Sequence, residues 1–145
     1  SISRFYETEP VGMDSDQILI NFCAFAQTSL DTGACKEACI AIEVELGRDR
    51  THPLRKTRDR AADIDLLTFI GAHGHQVQLE LIADYLSQPA AEIVAILPPR
   101  RAIIAARGCV RTFTVGGLQL GETPTAIDCN DRAGLIVVSH NRFDC

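Results

Sequence analysis

Two aspartates, Asp63 and Asp65, stand at i and i+2 in Ala62-Asp63-Ile64-Asp65-Leu66-Leu67, and a run of cations leads straight into them. Arg48, Arg50, Arg55, Lys56, Arg58 and Arg60 place six of the fourteen basic residues in one short stretch. Strand side chains alternate between faces, so a strand here would turn both carboxylates one way and send Ala62, Ile64 and Leu66 into a core. Carboxylates on a rigid strand beside guanidiniums on a loop suit a metal-bound polyphosphate. The carboxylates hold Mg²⁺ and the guanidinium forks neutralise phosphate oxygens. Two like charges side by side also cost energy that a cation would offset. The plain alternatives are a solvated strand edge and a solvated basic loop, or a loop that contacts RNA.

Several elements must position these groups. Ile2–Glu7 reads as a short strand that Pro10 and Gly12 interrupt, and residues 18–28 read as a buried strand rich in β-branched and aromatic side chains. Asp31 and Thr32 are capping residues ahead of a helix through Ala34, Cys35, Ala38, Ile42 and Leu46, with Gly47 as its stop. The basic loop covers 48–60, its start barred from helix by Pro53. Residues 62–70 form the next strand. VQLELIADYL and PAAEIVAIL give two short helical patterns, the second opened by Pro89. After Pro98-Pro99, the likeliest internal boundary, RTFTVGGLQL predicts a strand broken at Gly116-Gly117 and LIVVS a terminal strand over 135–139.

At 145 residues with 46% hydrophobic and 23% charged side chains, the chain has the makings of one domain with a core that needs no disulfide staples. The net charge of −5 makes a general nucleic-acid coat unlikely and leaves the basic run as a local feature on an acidic body. No apolar run approaches a membrane span, and no leader resembling a secretory signal is present. Six cysteines occur, at 23, 35, 39, 109, 129 and 145, without the doubled Cys-x-x-Cys pairs of a structural zinc site. Buried free thiols and a cytoplasmic location are the reading. His73 and His75 lack a third ligand at a sensible spacing and read as a surface turn; Phe5 and Tyr6 read as core.

Four local patterns converge on one family. Ser3-Arg4-Phe5-Tyr6-Glu7-Thr8-Glu9-Pro10-Val11-Gly12, with Asp16-Gln17 and Asn21 after it, resembles the early part of hydroxymethyldihydropterin pyrophosphokinase, an enzyme of folate synthesis. Ile42-Glu43 before Gly47-Arg48-Asp49-Arg50 is similar to a second family pattern, and Arg60 through Leu67 to its arginine-plus-Asp-x-Asp element. The resemblance covers residues 3–67 and implies an α+β, ferredoxin-like sandwich, an antiparallel sheet with helices on one or both faces. It further implies a core over 1–98 with a C-terminal extension of the same domain over 99–145.

The same resemblance implies pyrophosphate transfer from ATP to the hydroxymethyl group of a reduced pterin, with two Mg²⁺ ions held by Asp63 and Asp65. Arg60 would close over the phosphates and act with the two aspartates in catalysis. Glu43, Arg48, Arg50 and Arg58 would lie on the nucleotide side, and Thr8, Val11 and Asn21 at the pterin. An amide such as Asn21 both donates and accepts, as a flat heterocycle's edge requires.

The sequence departs from the family in places. Arg58-Asp59 replaces the usual Gly-Pro, the loop is slightly longer, and its common tryptophan is absent. Asp84-Tyr85 stands near the place of a phosphate-side histidine. The strand, Gly-Ser-Asn turn and helix with which the family opens do not precede Ser1. Either they lie outside this sequence or another segment fills the gap, and Leu135–Asn141 is the candidate. Two alternatives to an active kinase stay open: a divergent paralogue that binds pterin or nucleotide without transfer, and a non-enzymatic phospho-ligand or RNA-binding module built on residues 48–60.

Overall fold

The computed structural model describes residues 1–13, 15–70, 83–97, 104–130 and 135–140. It is α+β: nine elements run β1 (Phe5–Thr8), β2 (Leu19–Asn21), α1 (Thr32–Glu45), α2 (Asp84–Ile96), β3 (Val110–Arg111), β4 (Phe113–Val115), β5 (Leu118–Leu120), β6 (Thr125–Asn130) and β7 (Leu135–His140). They fall into two compact units. One comprises Ser1–Thr8, Ile18–Ala26 and Gln78–Cys145; the other comprises Glu9–Gln17 and Gln27–Val77.

The first unit is built around β1. Its two neighbours are antiparallel, in the order β2-β1-β3, with Tyr6 opposite Asn21 on one side and Val110 on the other. Tyr6 and Thr8 share one face because strand side chains alternate, and α2 packs on that face. The apolar side of α2 brings Ala90, Ile93 and Ile96 together with Cys23 in the core. Phe5 points the other way and stacks, tilted, on Phe22 and Phe113 with centroids at 4.7 and 5.8 Å.

One buried carboxylate ties α2 to β1. Glu92 is 1% exposed, and it accepts the Arg4 backbone N–H at 2.9 Å, the Tyr6 hydroxyl at 2.6 Å and the Arg4 guanidinium. Arg4 continues to the carbonyls of Ile104 and Glu122, both at 3.0 Å. A buried charge is tolerated only when it is paired and hydrogen-bonded, and here each condition is met. Burial, and then the adjacent Glu92, push the Tyr6 phenol up to about 12.

The remaining strands form two hairpins. β4 and β5 are joined by Gly116 and Gly117 with φ of 57° and 82°. Positive φ at both central residues is the turn that follows the natural twist of a two-residue hairpin, so the expected broken strand is a hairpin. β6 pairs along its whole length with β7, and Ile2 bridges Ala24 and Thr125 at the foot of this sheet.

Other expectations are corrected. The strand expected over 18–28 shrinks to three residues, mostly outside the core. Pro89 does not open a helix but lies inside α2; it forfeits one backbone bond, and its ring is fully buried, which offsets part of that cost. Leu135 to His140 forms the expected terminal strand and pairs with β6 in a two-stranded sheet of its own, not in the β2-β1-β3 sheet where it was the candidate to replace a family strand. The first helical pattern, over 77–86, is described only from Ala83, and its last three residues open α2, so the end of the first pattern and the second pattern form one helix. The Pro98-Pro99 boundary, and His73 with His75, lie outside the described residues. Cys23, Cys35, Cys39 and Cys109 are free, as expected, but only Cys23 is buried and Cys109 is exposed.

Two outcomes test this account of the first unit. Gly121 has φ of +102°, and an added Cβ would meet the Arg111 carbonyl at 2.3 Å and the Phe5 ring at 2.8 Å. Gly121→Ala is therefore expected to destabilise the chain by roughly 2–4 kcal/mol in urea unfolding. The raised Tyr6 value means that its contribution is complete below the ordinary value of 10.0 and is lost as pH rises toward about 12. A tyrosinate absorbance titration of the folded protein should show a component near that upper value, absent from Tyr6→Phe.

Candidate functional site

The second unit holds the charged groups singled out by sequence, and its geometry begins with how α1 ends. Asp31 caps the start by accepting the Ala34 N–H at 2.8 Å. At the other end Gly47 adopts φ of 93°; its N–H bonds the Val44 carbonyl and the Arg48 N–H bonds the Glu43 carbonyl, both at 2.9 Å. This paired closure is the Schellman ending, which glycine permits without a Cβ penalty. It folds the chain back on the last turn of α1, so Arg48 and Arg50 return to the side chain of Glu43.

Glu43 is the only buried residue of α1, at 2% exposure. One carboxylate oxygen accepts Arg48 Nη1 at 2.8 Å and the Ile64 backbone N–H at 2.7 Å; the other accepts Arg50 Nη2. Burial pushes the Glu43 carboxyl up, but the Ile64 N–H and the two arginines together outweigh it and hold the group below its ordinary range. Arg48 also pairs with Asp63 Oδ1, and Arg60 takes Asp63 Oδ2. Burial of Asp63 is likewise outweighed by these two guanidiniums, so its carboxyl is depressed. The result is an alternating chain, Arg50–Glu43–Arg48–Asp63–Arg60, that fastens the basic loop to the aspartate segment.

That segment is not the expected strand. Residues 62–70 take no place in a ladder, and Ile64 gives its N–H to a side chain instead. Ile64, Leu66, Leu67, Phe69 and Ile70 are 36–44% exposed rather than sunk in a core. Asp65 is exposed and has no hydrogen-bond or ion-pair partner among the described residues. Arg58 is exposed, its guanidinium without a partner among the described residues, and is held locally by its N–H on the Leu54 carbonyl at 3.0 Å. Arg48 Nε is buried without a partner. Val11 belongs to this unit and is 69% exposed.

In the first unit, Asn21 Nδ2 donates to Thr8 Oγ1 at 2.5 Å across the β1–β2 pair. This leaves the amide oxygen and a second N–H of Asn21 for another partner. Thr8 also lines an open cavity of about 250 Å³ with Tyr6, Tyr85, Gln88 and Arg107. The two sequence-selected sets are thus each internally assembled: Asn21 with Thr8, and Glu43, Arg48, Arg50, Arg60 and Asp63 with one another.

The comparisons with known proteins meet these observations. The family model of 7,8-dihydro-6-hydroxymethylpterin-pyrophosphokinase (HPPK) matches residues 1–103. The chain belongs to that family. The HPPK fold is of the ferredoxin-like α+β type, and helices with antiparallel sheets are what this chain forms. It is similar to a 2-amino-4-hydroxy-6-hydroxymethyldihydropteridine pyrophosphokinase from each of two strains of Porphyromonas gingivalis, 37% identical over 67 residues that make up 46% of this chain and 46% of each relative. The chain therefore spans about half the length of the curated relatives it matches. No solved structure matches it.

Two carboxylates organise this HPPK chain. Glu43, which the sequence placed on the nucleotide side, has its oxygens filled by protein groups. Glu92 was not singled out, although a lone acid in the apolar run Pro-Ala-Ala-Glu-Ile-Val-Ala-Ile signalled a buried, paired carboxylate.

Glu43→Gln is expected to cost about 2–3 kcal/mol at neutral pH, because two guanidiniums lose a buried counter-charge. Since the folded value lies below the ordinary 4.5, the contribution is present above that value and disappears as pH falls through the folded one. Urea unfolding at neutral and acid pH should show the gap between wild type and variant closing on the acid side.

Proposed function

We propose that this HPPK chain carries the metal–polyphosphate chemistry of pyrophosphate transfer from ATP to the hydroxymethyl group of a reduced pterin, a step of folate biosynthesis. The supporting observation is the exposed Asp65 beside an Asp63 that is already gripped by two arginines, one of them anchored on buried Glu43. Family membership supplies the substrate class, and the relatives' printed names agree with it.

The donor set fits Mg²⁺. Two hard carboxylates, Asp63 and Asp65, leave room for water and phosphate oxygens, which is how Mg²⁺ is held in ATP sites rather than in an all-protein cage. In keeping with this, no group of three or more His, Cys, Asp or Glu gathers among the described residues. When bound there, the cation would neutralise charge on the phosphates and draw them onto the aspartates. Arg48, fixed by Glu43, presents a guanidinium of set direction to phosphate oxygens; Arg50 and Arg58 add positive charge on the nucleotide side. Arg60, held among the described residues by Asp63 and by the Lys56 carbonyl at 3.2 Å, is the arginine best able to follow the transferred group.

In the reaction the hydroxymethyl oxygen bonds to the β-phosphorus, the bond from that phosphorus to the α-bridging oxygen breaks, AMP departs, and the hydroxyl proton is released. Asn21 and Thr8 provide a donor–acceptor edge for the pterin in the first unit. We also propose that residues 1–98 form the HPPK core and 99–145 an extension of it. No helix among the described residues is long and apolar enough to cross a membrane, and a cytoplasmic site of action accords with folate synthesis.

Calorimetry with a non-hydrolysable ATP analogue, with and without Mg²⁺, tests this reading. Asp65→Ala should keep the fold, because the side chain has no partner among the described residues, while weakening Mg²⁺-dependent nucleotide binding by roughly tenfold or more. Unchanged binding would remove Asp65 from the site. Nucleotide binding without AMP release in the presence of pterin alcohol would assign the chain to a non-transferring paralogue. Affinity independent of Mg²⁺ and falling steeply with salt would instead mark a phospho-ligand or RNA module.

A further inference from the structure

Asp63 spends both carboxylate oxygens on arginines, Oδ1 on Arg48 and Oδ2 on Arg60. Asp65, two residues on, spends neither. The two aspartates are therefore not equivalent, although their spacing makes them look like a matched pair. We propose that Asp63 is a latch: it stores Arg60 in the absence of cation, and cation binding releases that arginine to the phosphates. The proposal rests on the metal–polyphosphate reading of this unit and adds an order of events to it.

The argument is one of exchange. Carboxylate and phosphate present the same oxygen geometry to a guanidinium fork, so Asp63 and a phosphate compete for the same donors. A divalent cation takes carboxylate oxygens more strongly than a partly exposed guanidinium does, since such ion pairs contribute only about 1 kcal/mol or less. Asp63 is 34% exposed at its side chain, which leaves it open to a cation.

The two arginines would then part company. Arg48 stays anchored, because Nη1 also binds buried Glu43 at 2.8 Å. Arg60 keeps only one bond, to the Lys56 carbonyl within its own loop, and swings free with that loop. A cation arriving first at exposed Asp65 thus finds a second ligand whose release delivers a positive charge to the place where phosphate will sit. Without cation, Arg60 is withheld, and polyphosphate meets an uncompensated carboxylate.

Two measurements on the full chain test the latch, and neither reads activity. The first is calorimetry with inorganic tripolyphosphate in excess chelator, comparing wild type with Asp63→Asn and Asp65→Asn. Both variants remove one negative charge, so a general charge effect raises affinity equally in both. The latch predicts a further gain in Asp63→Asn alone, of roughly threefold to tenfold. The second begins with wild type. Limited trypsin digestion of wild type should cut after Arg60 faster when Mg²⁺ alone is added, relative to cutting after Lys56 as internal reference. Asp63→Asn should be cut fast after Arg60 with or without Mg²⁺. Equal gains in the two variants, or cleavage after Arg60 that Mg²⁺ leaves unchanged or slows, would overturn the latch. If wild type still binds the ATP analogue with Mg²⁺ in that case, the metal–polyphosphate reading survives; if it does not, both fall together.

Discussion

The buried carboxylate of Glu43 is the point on which the second unit depends. It sits on the last turn of α1, and its two oxygens reach the basic loop through Arg48 and Arg50 and the aspartate segment through the Ile64 N–H. A residue of this type is seldom buried unless paired, and its desolvation is compensated only if every partner is in place. The helix end, the loop and the aspartates are thus bound into one arrangement by a single side chain. The loop gets its shape from that chain of charges rather than from an apolar core, since Leu54 is largely exposed.

This explains how much could be read beforehand. Local signals were legible: Asp31 caps α1 and Gly47 ends it. The motif residues are found paired with one another, Asn21 with Thr8 and Arg48 and Arg60 with Asp63. The α+β class came with the family resemblance. The strand over 62–70 was not legible, because alternation of apolar and acidic residues reports which faces a strand would have and not whether a neighbour lies beside it. Ile64 satisfies its N–H with a carboxylate from a residue 21 positions away, and nothing in local composition encodes such a contact. Glu43 was recognisable as a motif residue, but its role as hub depends on the Schellman turn that carries Arg48 and Arg50 back to it. The terminal strand expected over 135–139 is present as β7, an apolar run legible on its own, whereas its partner β6 had no strong signal.

The two units stabilise themselves by different means. The first combines an apolar helix face with one buried ion pair, so its polar contacts add direction to a core that already exists. The second has α1 largely exposed and relies on charge pairing that salt and acid weaken. A segment of that kind exchanges partners readily, which suits a loop that must handle phosphate.

Arg4 carries a consequence for how the chain comes to be folded. From its place before β1 it reaches Glu92, Ile104 and Glu122, which are 88, 100 and 118 positions away. Closing such long loops is slow because their entropy must be lost before any contact rewards it. During synthesis β1 therefore emerges well before these partners, and the Arg4 guanidinium waits for them until Glu122 has left the ribosome. β2 can pair with β1 almost at once, but the side that β3 covers stays an open edge until Val110 and Arg111 are made, and chaperone capture or misassociation would concentrate there.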